Sequence, residues 1–283
     1  MAQFTNQAFL SYNDTVTPSN IAVGEILEIL SATKTAVSNT YSARDSVTYI
    51  VNIINSGNTP YTALSISDDL GAYTFGNQTL TPLSYVDGSI LYYVNGVLQP
   101  TPSVTDDVPL VVSGINIPAY GNALLIYEVQ TNSFAPLAVG STIVNTVTVS
   151  GNNIIPFDAE ETITVLNEAV LSITKSISPI PVAENSPVTY TFIVQNTGNT
   201  PLVATDNAII TDTFDPILTN ISVTFNSVPW QEGVNYTYNE ATGEFATIAG
   251  QVVADNATFE QNPQTGVWSI TPGVSSLVVT GTI

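Results

Sequence analysis

The chain has 283 residues, of which 44% are hydrophobic and 9% are charged, and its formal net charge is −20 with only three basic residues. Three basic residues cannot neutralise a phosphate backbone, and we therefore predict no nucleic-acid partner. Anionic membrane surfaces would also repel a chain of this charge. Cysteine and histidine are both absent, which excludes disulfides, thiol chemistry and the most common general base near neutral pH. We therefore predict a protein that is not an enzyme, and no apolar run is long enough to predict membrane insertion.

The first segment of the chain resembles the end of a repeat. FTNQAFLSYN (residues 4–13) aligns with IVNTVTVSGN (residues 143–152), with Asn6 over Asn145 and Leu10 over Val149. At the second place the pattern closes a long β-rich repeat, whereas at the first place no repeat precedes it. Alternation predicts that Ala8, Leu10 and Tyr12 share one face of a strand and that Phe9 lies on the other. We predict that residues 1–23 are a donor hairpin for a neighbouring subunit.

The same N-terminal residues carry no visible signal peptide. MAQFTNQAFL has neither a basic n-region nor an apolar h-region. The expectation is either a processed or engineered chain, or export by a route other than general secretion.

An internal repeat organises the rest of the chain. Residues 31–60 align without a gap on residues 172–201 with a constant offset of 141, the difference between Lys175 and Lys34. In both copies apolar residues alternate with polar ones, as in VTYIVNII and VTYTFIVQ, which is typical of half-buried strands. NSGNTP and NTGNTP are turn sequences. We predict an all-β protein with two tandem immunoglobulin-like, or transthyretin-like, β-sandwiches.

The repeat motif resembles a known family. A lysine, a later Val-Thr-Tyr, Asn-x-Gly-Asn-Thr and a strand that ends in Ser/Thr-Asp are similar to the bacterial and archaeal "conserved repeat domain", domain of unknown function eleven; here the motif covers Lys34 to Asp68 and Lys175 to Asp212. The resemblance implies an immunoglobulin-like or transthyretin-like sandwich of the kind found on surface proteins. It implies an extracellular location on a cell or spore, and a short two-repeat member is similar to a filament subunit such as a spore appendage.

The end of the chain predicts the acceptor for the donor hairpin. SLVVTGTI (residues 276–283) aligns with PLVVSGIN (residues 109–116), after which the first copy continues and the second stops. We therefore predict a complete sandwich over residues 24–165. Over residues 166–283 we predict an incomplete one, without the equivalents of the strand 123–131 and the hairpin 143–165. Head-to-tail homopolymerisation by strand complementation follows. The predicted interface residues are Phe4, Asn6, Ala8, Leu10, Tyr12, Ile21, Val23, Leu277, Val279 and Ile283.

The two lysines occupy the same position of the two repeats. Sandwiches of Gram-positive surface proteins can join a first-strand lysine to a last-strand asparagine through an isopeptide bond, with a buried acid as catalyst. The candidate pairs are Lys34 with Asn145 within a subunit and Lys175 with Asn6 of the next, with Asp68 and Asp212 as acids. The alternative is a lysine whose stem covers the sandwich edge while its ammonium group reaches water.

Two further patterns leave alternatives open. Acidic clusters that include Asp68, Asp69, Asp106 and Asp107 are weak calcium candidates, because none has the spacing of a known calcium loop; no other cofactor is predicted. The aromatic residues of the second copy favour either a carbohydrate-binding or adhesin module, seen as a trimmed chain, or simple packing. They are Trp230, Trp268, Tyr236 and Tyr238.

Overall fold

The computed structural model describes residues 2–26, 29–152 and 154–283. The described residues form β-strands and a single 3-10 turn, Ala204–Asp206, which confirms the predicted all-β class. Among the described residues, no helix is long and apolar enough to cross a membrane.

The chain divides into two compact units, each of which is built from three separate segments of the sequence. The first unit contains Met1–Asn39, Arg44–Asn132 and Val144–Ile163, and the second contains Thr40–Ala43, Ser133–Ile143 and Thr164–Ile283. The predicted boundary at residue 165 lies close to Ile163, the last residue of the first unit. The predicted ranges did not include the two short segments that group with the second unit.

The N-terminal residues form a long β-hairpin. Its strands are β1 (Ala2–Asn6), β2 (Phe9–Tyr12), β3 (Thr15–Pro18) and β4 (Ala22–Ile26). β2 pairs with β3, β1 pairs with β4, and Asn13 and Asp14 adopt positive φ angles in the two-residue turn. Every residue from 4 to 23 is exposed. A two-stranded hairpin that buries so little is at best marginally stable by itself.

The strands that follow form the first sandwich. They are β5 (Leu30–Ala36), β6 (Thr40–Tyr41), β7 (Ser46–Asn55), β8 (Tyr61–Asp68), β9 (Tyr73–Phe75), β10 (Gln78–Leu80), β11 (Leu83–Tyr85), β12 (Leu91–Val94), β13 (Val97–Gln99), β14 (Ser103–Asp107), β15 (Leu110–Ile117), β16 (Asn122–Thr131), β17 (Thr142–Ser150) and β18 (Phe157–Val165). One sheet has the order β13-β12-β16-β7-β5, with β11 also on β16, and the other has the order β14-β15-β8-β17-β18-β6. β9 and β10 make a separate hairpin.

The predicted alternation is confirmed in both repeats. Val47, Tyr49, Val51 and Ile53 of β7 are buried, and the intervening residues are at least partly exposed. The turn after β7 depends on its first asparagine, because buried Asn55 donates from Nδ2 to the carbonyl oxygens of Thr59 and Pro118, at 2.8 and 2.9 Å. Asn196 makes the equivalent bond to Thr200 in the second repeat, at 2.8 Å. In each repeat, therefore, the side chain of the first asparagine of the motif holds the turn together.

The second unit contains the remaining strands. They are β19 (Leu171–Ser178), β20 (Pro187–Asn196), β21 (Thr211–Thr213), β22 (Thr219–Phe225), β23 (Val228–Trp230), β24 (Tyr236–Asn239), β25 (Glu244–Thr247), β26 (Thr258–Gln261), β27 (Trp268–Thr271) and β28 (Gly273–Thr282). The larger sheet has the order β19-β20-β28-β22-β23 and the smaller one has the order β21-β25-β24. β26 and β27 form a hairpin.

The predicted alignment of the chain's last strand is wrong. β28 pairs with β20, with Leu277 opposite Phe192, just as β16 pairs with β7 in the first sandwich, with Leu125 opposite Val51. Because Val51 aligns with Phe192, β28 takes the place of β16 and not of β15. The strand equivalent to residues 123–131 is therefore present in the second sandwich.

The strand that corresponds to β15 is β25. Phe245 of β25 lies opposite Asp212, as Leu110 of β15 lies opposite Asp68. On its other side β8 pairs with β17, where Val147 lies opposite Asp68. Among the residues described, β21 has no neighbour on that side and is an edge strand. Among the described residues the second sandwich has no counterpart of the hairpin β17–β18, and the N-terminal hairpin also has two arms.

This topology also corrects the predicted acceptor residues. Leu277 and Val279 lie in the middle of β28, which is paired on both sides, and both are fully buried in the core of their own unit. Ile283 packs against the same core. Because a centrally paired strand has no free hydrogen-bonding groups, Leu277 and Val279 do not form an open edge. Ile283 follows β28 and donates its amide to the Ser186 carbonyl oxygen at 3.2 Å. The outer side of β21 is the edge that corresponds to the side of β8 covered by β17 in the first sandwich.

Candidate functional site

A buried ion pair joins the two sheets of the first sandwich. Lys34 lies on β5, and Asp68 is the last residue of β8. Lys34 Nζ donates a 2.6 Å hydrogen bond to Asp68 Oδ2, and both side chains have 0% relative exposure. Removing two charges from water costs several kcal/mol per ion, so a fully buried pair is weak evidence for a purely stabilising role.

Aromatic and backbone groups complete the surroundings of this pair. Tyr127 on β16 donates its hydroxyl to Asp68 Oδ2, and the Leu70 amide donates to Asp68 Oδ1 at 2.8 Å. Lys34 Nζ lies 4.7 Å from the centre of the Tyr49 ring, a cation–π contact. Burial is the larger effect on the Lys34 pKa and lowers it, while the Asp68 charge opposes the shift. Burial also raises the pKa of Tyr127 well above its usual value, so the phenol stays protonated as a donor.

Asn145 lies on β17 beside the same cluster. Its Oδ1 accepts a 3.2 Å hydrogen bond from the Gly71 amide, whereas its fully buried Nδ2 lies beside the Tyr49 hydroxyl without an aligned hydrogen bond. The Tyr49 hydroxyl is also buried without an aligned partner. Burial raises the pKa of Tyr49, and the neighbouring Asn145 amide lowers it in part. Lys34 and Asn145 are thus both neighbours of Tyr49, and a buried amide nitrogen without a partner costs about 1–3 kcal/mol.

The arrangement provides the groups for amide exchange. An amine with a lowered pKa is more readily deprotonated to its nucleophilic form, and Asn145, which neighbours Tyr49 as Lys34 does, offers a carboxamide carbon. Asp68 can accept a proton from the amine and return it to a leaving group. The packed core keeps out water, which would otherwise compete for the carbonyl.

A second lysine–aspartate pair occupies the same position in the second sandwich. Lys175 on β19 and Asp212 on β21 form an ion pair whose side chains are 39% and 18% exposed. Lys175 Nζ lies 4.6 Å from the ring centre of Tyr190, the repeat equivalent of Tyr49. Asp212 Oδ1 accepts from the Thr213 amide at 3.0 Å, and its buried Oδ2 is the atom that pairs with Lys175 Nζ. This second cluster has the same polar pair in a more open setting.

Two residues of the first cluster have no counterpart in the second. Val279 stands at the position of Tyr127, because β28 and β16 take equivalent places. Asn145 has no equivalent among the described residues of the second unit, because no strand there takes the place of β17. The repeat alignment predicted the two lysines, the two acids and the two asparagines, but Tyr127 was missed because it lies in the part of the repeat that was misaligned.

The calcium prediction is not supported by the geometry. Asp68 is occupied by Lys34 and Tyr127, and Asp69 Oδ1 accepts from the Gly71 and Thr146 amides at 2.8 and 2.9 Å. Across the described ranges, no three acidic side chains converge as metal ligands. Asp106 accepts from the Val108 amide at 3.2 Å, and both it and Asp107 are exposed. Asp68 in particular is a partner of a lysine and not a metal ligand.

Three of the four candidate sugar-binding aromatic residues belong to the core of the second unit. Trp230 stacks on Phe225 with ring centres 4.8 Å apart, and buried Tyr236 stacks on Phe245 at 5.5 Å. Tyr238 donates its hydroxyl to the Leu218 carbonyl oxygen at 2.8 Å and packs against the same core. The packing alternative therefore accounts for these three.

No family model matches the chain and no curated protein is similar to it in sequence, so the resemblance to the conserved repeat domain stays a prediction. Among solved structures it is similar to the major pilin subunit BcpA of Bacillus cereus, with 9% identity, a TM-score of 0.37, and 96% of this chain and 73% of that chain covered. It is similar to the pilus backbone RrgB of Streptococcus pneumoniae, with 13% identity, a TM-score of 0.35, and coverage of 86% and 55%. It is also similar to the collagen adhesin CNA of S. aureus, with 12% identity, a TM-score of 0.31, and coverage of 53% and 57%. The chain thus spans little more than half the length of the RrgB and CNA structures.

Proposed function

We propose that the protein is a structural subunit of an extracellular filament on a cell or spore surface, and that it polymerises head to tail by strand complementation. In this proposal the N-terminal hairpin of one copy fills the open edge of the second sandwich of the next. The observation that carries the proposal is the match between the two: an exposed two-armed hairpin, and a β21 edge that, among the described residues, has no counterpart of the hairpin that lies along β8.

The equivalent hairpin of the first sandwich supplies the register of the proposed contact. Val147 lies opposite Asp68 and Val149 opposite Ile66. The repeat alignment therefore places Ala8 opposite Asp212 and Leu10 opposite Ile210, a residue of the second core. Val149 is 0% exposed, whereas Leu10 is 69% exposed. Transfer of such apolar surface from water favours association by about 25 cal/mol per Å².

The second sandwich also exposes apolar surface, on the side where the donor would bind. On β5 the inward-facing Ala32 is half-buried, whereas its repeat equivalent on β19, Ile173, is 53% exposed. β21 also offers unpaired backbone groups, which readily pair with an incoming strand. Because the donor and the acceptor are different surfaces of one chain, each added copy presents a new donor or acceptor, and the contact propagates. The alternative, a carbohydrate-binding module, is less well supported, because three of its four candidate aromatic residues pack in the core.

Substitutions on the two faces of the donor test this register. Leu10→Asp should abolish filaments, because it would bury an unpaired charge at the proposed contact, at a cost of several kcal/mol. Phe9→Asp is the matched control: it lies on the opposite face, where Thr148 is the first-sandwich equivalent, and should assemble nearly as well as the unchanged chain. The measurement is filament yield by sedimentation and negative-stain microscopy. Equal loss for both variants would show that the proposed register is wrong.

The first sandwich carries a proposal of its own, an amide bond between Lys34 and Asn145 within one subunit. The intact mass should then be about 17 Da below the value for the sequence, because one ammonia is lost for each bond. Lys34→Arg and Asn145→Ala, each compared with its own sequence mass, should show no deficit. A full-length chain at its plain sequence mass after prolonged incubation would leave Lys34 and Asp68 as a structural ion pair.

A further inference from the structure

We infer that Lys175 and Asp212 are one half of a split cross-linking site, and that Asn6 of a second copy supplies the other half. This inference rests on the proposed strand complementation and goes beyond it. It assigns a covalent bond between subunits, formed without a separate enzyme, at the point where the donor hairpin enters the second sandwich.

The first argument is the correspondence between the two clusters. In the first, a lysine lies over a tyrosine ring at 4.7 Å and pairs with the aspartate at the end of a strand of the other sheet. In the second, Lys175 lies over Tyr190 at 4.6 Å and pairs with Asp212. Phe192 and Phe214, with ring centres at 5.5 and 5.4 Å from Nζ, add apolar surface beside the amine. Lys175 and Asp212 of the second cluster are therefore arranged like Lys34 and Asp68 of the first. In the first cluster an amide, that of Asn145, lies near this pair.

The second argument is the position at which an amide would enter. In the first sandwich Asn145 precedes Val147 by two residues, and Val147 lies opposite Asp68. Asn6 precedes Ala8 by two residues, so a donor that places Ala8 opposite Asp212 brings Asn6 to the position of Asn145. Asn6 ends β1 and is exposed, so its side chain is available to another copy.

The third argument is the state of the polar groups. The lysine and aspartate of the first cluster are completely covered, and those of the second are 39% and 18% exposed. In the first sandwich the hairpin β17–β18 pairs along β8 and carries Asn145. Asp212 Oδ2 is buried against Lys175 Nζ, and an incoming subunit would cover the parts of both side chains that water still reaches. Closure by the donor would therefore turn an open ion pair into a buried site that resembles the first.

The reaction balances without any further reactant. Lys175 transfers a proton to Asp212, and its neutral Nζ attacks Cγ of Asn6. The Cγ–Nζ bond forms and the Cγ–Nδ2 bond breaks. In all, two protons of Lys175 pass by way of Asp212 to the departing nitrogen, which leaves as ammonium. Neither oxidation nor reduction takes place, and each bond lowers the mass of the polymer by about 17 Da, the mass of ammonia.

Two complementary variants test the inference. Asn6→Ala removes the amide and keeps Lys175, while Lys175→Arg keeps both the charge and Asn6. Each variant alone should give filaments that dissolve to monomers on a heated denaturing gel. An equal mixture of the two should give a covalent dimer and no higher species, because the joined pair retains neither an active amide nor an active lysine. The unchanged chain should give a ladder.

Peptide mapping identifies the bond. Digestion at acidic residues should yield one branched peptide that joins the segment around residue 6 to the segment around residue 175. Lys34→Arg is the matched control and should leave the ladder intact. Filaments that form but dissolve completely to monomers would overturn the cross-link and leave strand complementation standing. Failure of the unchanged chain to form filaments would overturn the proposed function and the cross-link together.

Discussion

A chain that lacks residues 1–23 is expected to fold, to remain monomeric, and to shorten the filaments of the intact chain. The deleted residues that the structure describes are exposed from 4 to 23, and the first sandwich has its own closing hairpin, β17–β18. The truncated chain keeps the open edge of its second sandwich, so it can accept a donor but cannot offer one. Added to the intact chain, it should therefore terminate growth at one end.

The measurement is filament length by negative-stain microscopy as the truncated chain is added in increasing proportion. A mean length that falls steadily with its fraction is the expected result. A truncated chain with Ile173→Asp is the matched control, because Ile173 is exposed in the free chain and an unpaired charge there should prevent capping. Long fibres from the truncated chain alone would show that the hairpin is not the donor.

Loss of Asp68 is expected to destabilise the first sandwich strongly, whereas loss of Asp212 is expected to have a much smaller effect. Asp68→Asn leaves the fully buried Lys34 without its countercharge, which typically costs about 3–5 kcal/mol. It also weakens the site to which Tyr127 donates. Asp212→Asn removes the partner of a lysine that water still reaches, and partly exposed pairs contribute little.

The two variants are best compared by urea unfolding in the chain that lacks residues 1–23, where assembly does not interfere. Probes specific to each unit are needed, because a chain with two units need not unfold in one step. Lys34→Met combined with Asp68→Asn should recover the part of the lost stability that comes from the unpaired charge. Similar losses from Asp68→Asn and Asp212→Asn would contradict the burial of the first pair.

The sequence by itself determined the all-β class, the repeat, and the lysine and aspartate of each cluster. Period-two alternation depends on neighbouring residues alone, so VTYIVNII and VTYTFIVQ predicted buried strands correctly. The gap-free alignment of residues 31–60 with 172–201 placed Lys175 over Lys34 because nothing is inserted between them. Asn6 was matched to Asn145 for the same reason.

Only the tertiary structure decided which strand β28 is and which edge is open. SLVVTGTI and PLVVSGIN have the same alternating pattern, but the first pairs centrally with β20 and the second with β8. Strand pairing joins residues far apart in the chain, and a local pattern carries no information about the partner. For the same reason the contact between Tyr127 and Asp68 could not be predicted from the sequence. The difference in exposure between Lys34 and Lys175 could not be predicted either, because it depends on which strands cover each site.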